Sequence, residues 1–373
     1  MDGATFAIIL VLILVIAGAI FLVVRNYQTG EDDATAPTTT TTTTAEAPRA
    51  ELGTGGADSS WMYPTGELDA LSDDARGKCE AAYSLHHLYS KYKGPVARVR
   101  RLKDSARENF YATKEGELKT KDGTKLKDWI GNSEPMLDIW FDQSGKKRDS
   151  AVEMYTSNPV MEKRTDQFNK TAWQIKFDGI NVMKLGAGSR SVPLQDYADF
   201  TVSLNAKWED SKDRSWETGI WIGQEGNDSS IRKSTIFIGN YGSSGNYSFV
   251  YGGNVDDRKV QSTIAAPSSV TREPPRNFTI VGTQKNRNLT EIRGYVDGSG
   301  FNTNSSDVAY SGPPAENVRV NKDVLYLGGH SNMTGGAESK PMRGAVTDLL
   351  FFSAPLKSSD FVLLGSFNTA SQA

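Results

Sequence analysis

The sequence predicts an all-β head of two packed antiparallel sheets, with a short helix at its N-terminal side and a single transmembrane helix ahead of it. Three observations carry this reading. Residues 6–24 are apolar, without a charge or a proline, close to the ~20 residues a helix needs to cross the ~30 Å hydrocarbon layer. Between residues 173 and 367, short segments alternating apolar and polar residues are separated by turn dipeptides such as Asp178-Gly179, Gly252-Gly253 and Asp297-Gly298, the pattern of half-buried strands. Glycine is abundant and aromatic residues make up 10% of the chain, as in domains of many turns and strands.

The flank 1–5 reads Met-Asp-Gly-Ala-Thr, with no basic residue. A signal peptide would pair a basic start with an apolar region of only ~7–15 residues. The span 6–24 is therefore read as a retained anchor, with a cleaved leader as the competing reading. Arg25 on its carboxyl side favours a cytoplasmic head. Residues 25–66 form a Thr-, Gly- and Pro-rich stalk whose threonines run unbroken from Thr38 to Thr44 behind Pro37. Such a tract cannot bury apolar surface and stays extended, reaching tens of ångströms at ~3.1 Å per residue. It is either an O-glycosylated stalk outside the membrane or a plain flexible linker.

The head is 67–373. A net charge of −3 and a pI near 5.8 leave no basic face for nucleic acid. Cys79 is the single cysteine, so an internal disulfide and a thiolate metal cluster are excluded; it is either a small buried hydrophobe or a free reactive thiol. From Ser72, an N-cap followed by Asp73 and Asp74, apolar residues recur at helical spacing through Tyr92, predicting a helix that ends at Gly94-Pro95. His86 and His87 within it would point in different directions, which suits surface or packing roles better than a shared metal. The run 96–102 then reads as a strand. Its arginines Arg98, Arg100 and Arg101 suit a solvated face better than an anion site.

Several rare pairings recur in one order: Ala82-Tyr83-Ser84-Leu85, Leu88-Tyr89-Ser90, Tyr92-Lys93-Gly94-Pro95, Val99-Arg100-Arg101, Trp140-Phe141-Asp142-Gln143-Ser144-Gly145 and Asp149. On these motifs, residues 71–158 resemble the N-terminal part of the fungal arabinofuranosidase B type catalytic domain. More loosely, residues 173–367 resemble a concanavalin A-like or laminin-G-like sandwich, a jelly roll of antiparallel strands. Strands are expected at 173–177, 200–208, 218–223, 234–239, 247–251, 277–282, 291–296, 324–328 and 344–352, with a short helix from Ser358.

The resembled enzymes are retaining glycosidases, which need two carboxyls ~5–5.5 Å apart. The resemblance also implies a nucleophilic Glu in a strand beside Asp and Asn, and an adjacent pair of cysteines at the sugar pocket. This chain has only Cys79, and the strands 218–223 and 235–240 carry no carboxylate. Glu225 and Asp297, just beyond strand ends, are the remaining catalytic candidates, although Asp in an Asp-Gly turn has a backbone reason to be there.

Exposed aromatic rings stack on sugars, and Trp208, Trp216, Trp221, Tyr241, Tyr247 and Tyr251 lie among Gly, Asn and Ser residues. Carbohydrate binding and plain core packing are both open to them. No cofactor is expected; calcium would have to use Asp228, Asp256 or Asp257, which lack a ligand spacing. Seven acceptor triplets for N-glycosylation occur, at Asn169, Asn227, Asn246, Asn277, Asn288, Asn304 and Asn332. If used, they place the head on a non-cytoplasmic or virion-outer side, against Arg25; otherwise they are chance in a chain rich in Asn, Ser and Thr.

Anchor, stalk and head together predict a non-catalytic, single-pass structural or adhesive protein. Its partners would be the lipid bilayer and other structural proteins or glycans of a surrounding layer, as in a minor capsid protein of a large DNA virus. A membrane-displayed lectin-like module and a retaining, arabinofuranosidase-like glycosidase are the alternatives.

Overall fold

The computed structural model describes residues 66–113, 116–154, 159–165, 171–185, 192–194, 199–209, 217–224, 234–241, 246–251, 260–264, 275–286, 289–297, 299–300, 307–309, 323–329, 340–357, 359–360 and 364. The expected anchor 6–24 and the stalk up to residue 65 lie outside them. Among the described residues no helix is long and apolar enough to cross a membrane. The chain divides into the units Met1–Glu51 and Leu52–Ala373; all that follows concerns the second.

In chain order the elements are α1 (Glu67–Ala70), α2 (Asp73–Gly77), β1 (Cys79–Ser84), β2 (Ala97–Arg101), β3 (Arg107–Ala112), β4 (Leu118–Lys119), α3 (Leu126–Ile130), β5 (Pro135–Trp140), β6 (Ser150–Met154), β7 (Val160–Thr165), β8 (Thr171–Asp178) and β9 (Met183–Leu185). Next come β10 (Phe200–Trp208), β11 (Glu217–Gln224), β12 (Ser234–Tyr241), β13 (Asn246–Tyr251), β14 (Val260–Ile264), β15 (Arg276–Asn286) and β16 (Leu289–Val296). The short β17 (Ser299–Gly300) and β18 (Asp307–Ala309), then β19 (Asp323–Leu327), β20 (Lys340–Pro341) and β21 (Arg343–Phe352), complete the series. Every strand expected between 173 and 352 is present, with ends moved by a few residues.

Two sheets result. One runs β3-β2-β5-β7-β8-β21-β10-β15-β16, all antiparallel. β1 continues β8 along the same edge of β21: β8 pairs with Arg343 to Val346, and β1 with Asp348 to Phe352. The other sheet runs β14-β13-β12-β11-β19-β9-β6, with one short parallel contact between β11 and β20. β6 also pairs with β5 and so joins the sheets. Their inner faces interlock Phe200, Val202, Leu204 and Trp208 of β10 with Ile220, Ile222, Ile236, Ile238, Phe249, Leu325 and Leu327 in one cluster. Burial of such rows is the main drive to a sandwich.

Two expectations give way. The helix from Ser72 to Gly94-Pro95 is helical only over Asp73–Gly77, where Ser72 Oγ accepts from Ala75 N at 3.2 Å. The chain then enters β1, every residue of which is buried. Ala81 and Tyr83 face the main core, whereas Cys79 and Ala82 join a second cluster. A strand covered on both faces loses its period-2 signal, which is why its apolar spacing reads as helical.

The polar side of β10 is the second correction. Alternation in Phe200-Thr201-Val202-Ser203-Leu204 predicts one wet face, yet Thr201, Ser203 and Asn205 are all buried. Leu68, Leu71, Ala75 and Leu88 from the N-terminal segment, with Leu356 and Leu364 from beyond β21, pack over that face against Val281, Leu350 and Phe352. A third layer therefore covers the middle of the first sheet. Polar side chains beneath it must satisfy one another.

Candidate functional site

The enzyme-like motifs fold into a clamp on the main chain. Asp142 accepts hydrogen bonds from Ala82 N (2.9 Å), Ser144 N (2.8 Å), Arg148 N (3.0 Å) and Ser144 Oγ (2.8 Å). Gln143 Nε2 donates to the carbonyls of Ser84 (3.2 Å) and His86 (2.9 Å), and its Oε1 accepts from Leu88 N at 2.8 Å. Asp149 accepts from Asp142 N, Tyr83 Oη donates to Arg148 O, and Tyr92 Oη donates to Pro95 O. Burial holds the Asp149 carboxyl above its usual range, with the adjacent Asp142 adding to the effect. Asp142 and Gln143 are themselves buried. These motif residues therefore tie β1 and its following loop to the end of β5.

At the outer layer, α1 and β21 bring two carboxylates to one imidazole. Glu67 Oε1 lies 2.7 Å from His86 Nε2, and Asp348 Oδ1 lies 3.3 Å from His86 Nδ1. The His86 side chain is 31% exposed, while those of Glu67 and Asp348 are 4% and 1% exposed. Burial opposes the charged ring, but Asp348, then Glu67 by charge and hydrogen bond, outweigh it and push the pKa up to about 10. The group is an imidazolium at neutral pH.

Ser84 Oγ stands 2.8 Å from His86 Nδ1, so a hydroxyl, an imidazole and a carboxylate form a chain of the kind that hydrolases use. Its chemistry is of another sort. An imidazolium has no lone pair to take the Ser84 proton, so both ring nitrogens donate. Ser84 Oγ is buried and also accepts from His86 N at 3.0 Å. Asp348 Oδ2 accepts in turn from Asn205 Nδ2 (2.6 Å), and Asn205 Oδ1 accepts from Asn277 Nδ2 (2.7 Å). The charged triad thus ends a buried polar row across β21, β10 and β15, and its geometry is that of a fastener for the N-terminal segment.

The expected site residues are dispersed. Trp208, Trp221 and Tyr247 were candidates for sugar stacking, but they are only 1%, 1% and 5% exposed. Trp208 packs edge-on against Phe278 at 4.7 Å between centroids, and Trp221 against Tyr326 at 5.8 Å. Their rings fill the sheets and offer no face to a ligand. Tyr241 and Tyr251 end β12 and β13, paired through the backbone with Asn246 and Ile236. Trp216 and Glu225 lie outside the described residues, as do Asp228, Asp256 and Asp257.

Asp297 sits at φ +51° in the turn between β16 and β17, half-open to solvent. Its carboxylate accepts from Asn277 N at 2.9 Å and pairs with Arg276 at 2.5 Å. It holds a turn, the backbone role that Asp-Gly implies. Among the glycosylation candidates, Asn277 is 1% exposed and both its amide hydrogens are occupied, by Ser203 Oγ and Asn205 Oδ1. Asn246 lies at the start of β13, and Asn169, Asn227, Asn288, Asn304 and Asn332 lie outside the described residues.

Sequence reasoning misses the Glu67–His86–Asp348 triad, because its members are far apart in the chain and the apolar spacing places His86 in a helix. It also misses Glu217, a fully buried carboxylate opening β11 one residue before the expected strand. The arginines of β2 behave as expected of a partly solvated surface: Arg98 pairs with Asp138 at 2.6 Å and Arg101 with Asp104 at 2.7 Å. Arg101 also lies over the Trp129 ring.

No family model and no curated protein matches the chain. Among solved structures it is similar to a GH54 α-L-arabinofuranosidase soaked with a cyclic sulfate inhibitor: TM-score 0.52, 13% identity, 81% of this chain and 66% of that one. A point mutant of a GH54 α-L-arabinofuranosidase soaked with 4-nitrophenyl α-L-arabinofuranoside gives a TM-score of 0.51 at 14% identity, again over 81% of this chain and 66% of that one. The chain thus spans just under two thirds of the length of these structures. The likeness is one of fold, the antiparallel β-sandwich.

Proposed function

We propose that the chain is a non-catalytic, membrane-tethered adhesive protein, whose β-sandwich head holds a bilayer at a set distance from a surrounding layer of protein or glycan. One observation carries the reading: the motif residues that resemble an enzyme, Asp142, Gln143, Ser144 and Asp149, are engaged with the main chain of the scaffold. The motif by which this chain resembles an arabinofuranosidase is used here to fasten the fold, which a binding protein needs as much as an enzyme does. The apolar run 6–24 and the threonine stalk supply tether and spacer.

Glycan is the ligand class to test first, since the similar solved structures were soaked with an arabinofuranoside or an inhibitor. Full-length protein in lipid vesicles would be assayed for hydrolysis of 4-nitrophenyl α-L-arabinofuranoside, for retention after carbonate washing, and on a glycan array. The expected result is retention in the vesicles with no turnover above buffer. Turnover lost in Glu225→Gln would establish the glycosidase alternative instead, and release by carbonate would remove the tether.

A further inference from the structure

We infer that the head is built to fold on a side of a membrane where asparagine-linked glycan transfer does not reach it. The observation is the fate of the triplet Asn277-Phe278-Thr279 on β15. Asn277 Nδ2 donates to Ser203 Oγ and to Asn205 Oδ1, both at 2.7 Å. Its Oδ1 accepts from Thr279 Oγ1 at 2.7 Å, so the two polar members of the triplet bind each other. Asn277 and Thr279 are buried, and Phe278 points to the opposite face, in the main core beside Trp208.

The transferase acts on extended chain before it folds. Transfer joins Asn Nδ2 to the anomeric carbon of a lipid-linked pyrophosphate oligosaccharide. The lipid pyrophosphate leaves, and one N–H proton is lost. At Asn277 that product would lack one of the two donors the row requires. It would also hold a bulky hydrophilic group at a position with no opening to solvent. A glycan there and the observed β10–β15 register are mutually exclusive, because Asn277 faces Asn205 directly across the ladder.

A chain that folded in a glycosylating lumen would meet this conflict in each copy whose triplet was recognised. The inference bears on membrane side alone and stands whether or not the head binds glycan.

The test uses the full chain expressed in eukaryotic cells, once in the cytosol and once directed into the secretory lumen by an added leader. In both, the other six acceptors are changed Asn→Gln, and the unaltered chain is run in parallel. Occupancy of Asn277 is read by peptide mass spectrometry, and folding by trypsin resistance of the head. The expected result is a resistant, unmodified head from the cytosol. From the lumen, occupied Asn277 should appear only in trypsin-sensitive chain, and blocking synthesis of the lipid-linked donor should raise the resistant yield several-fold. If the six substitutions prevent folding even in the cytosol, Asn277 occupancy in the resistant fraction of the unaltered chain decides. A resistant head carrying a glycan on Asn277 overturns the inference. So does equal folding in the lumen with and without the donor block.

Discussion

Asn205 donates a 2.6 Å hydrogen bond to Asp348, its direct partner across the β10–β21 ladder, in a layer where both are shielded from water. Asp348 Oδ2 also accepts from Thr347 Oγ1 at 3.0 Å, and its other oxygen faces His86. Replacing Asp348 therefore leaves an amide without its acceptor and a partly buried cation without one of its two carboxylates. Asp348→Ala is expected to cost about 3 kcal/mol in urea unfolding, at the level of a broken buried pair, with Asn205→Ala costing less. The double variant should show a coupling of about 1–3 kcal/mol, as for residues in one network. Strict additivity would mean that the row does not act as a unit.

His86 links this layer to pH. Its folded pKa, about 10, lies above the unfolded value of about 6.5. The triad's contribution is thus complete below pH ~6.5 and is lost as pH rises from there towards 10. Stability should fall by at most about 1.4 kcal/mol per pH unit over that window, and by less in practice because the ring is partly open to solvent. Urea midpoints at pH 6, 8 and 9.5 measure the slope. His86→Gln should lower stability at pH 6 and flatten the profile; an unchanged slope would show that some other group titrates.

Asp142 is expected to be the most sensitive carboxylate of the enzyme-like motif. Asp142→Ala removes the acceptor for three backbone N–H groups, of which that of Ala82 lies inside β1. A loss of about 3 kcal/mol or more follows from leaving buried donors unmet. Asp297→Asn, in an open hairpin with an exposed ion pair, should cost under about 1 kcal/mol. A reversed order in thermal unfolding would shift weight from scaffold back to chemistry at the motif.

Most of the strands from 173 to 352 are legible because they have one apolar face at period 2, and the inner residues Val202, Leu204, Ile220 and Ile222 are where that pattern places them. What was hidden depends on a layer contributed by distant chain. Thr201, Ser203 and Asn205 look like a wet face until the segments around Leu68 and Leu356 cover them. β1 looks helical because it is covered on both sides. His86, Glu67 and Asp348 meet only once β1 has paired with the last strand. Local pattern reports which residues are apolar, not what tertiary packing later brings over the polar ones.

Trp208 separates packing from ligand binding most cleanly. Its ring meets Phe278 edge-on and Tyr247 at 5.5 Å between centroids, and a Cβ added at Gly219 would lie 2.7 Å from the indole. Trp208→Ala opens a large cavity between the sheets and is expected to cost about 3–5 kcal/mol. Gly219→Ala should also destabilise, by overpacking the same contact. If any glycan is bound, its affinity per folded molecule should be unchanged in Trp208→Ala, measured by calorimetry at a temperature where the variant remains folded. An affinity loss of tenfold or more with the fold intact would mean that the indole reaches the ligand after all, and would move the binding face to the β10 end of the sandwich.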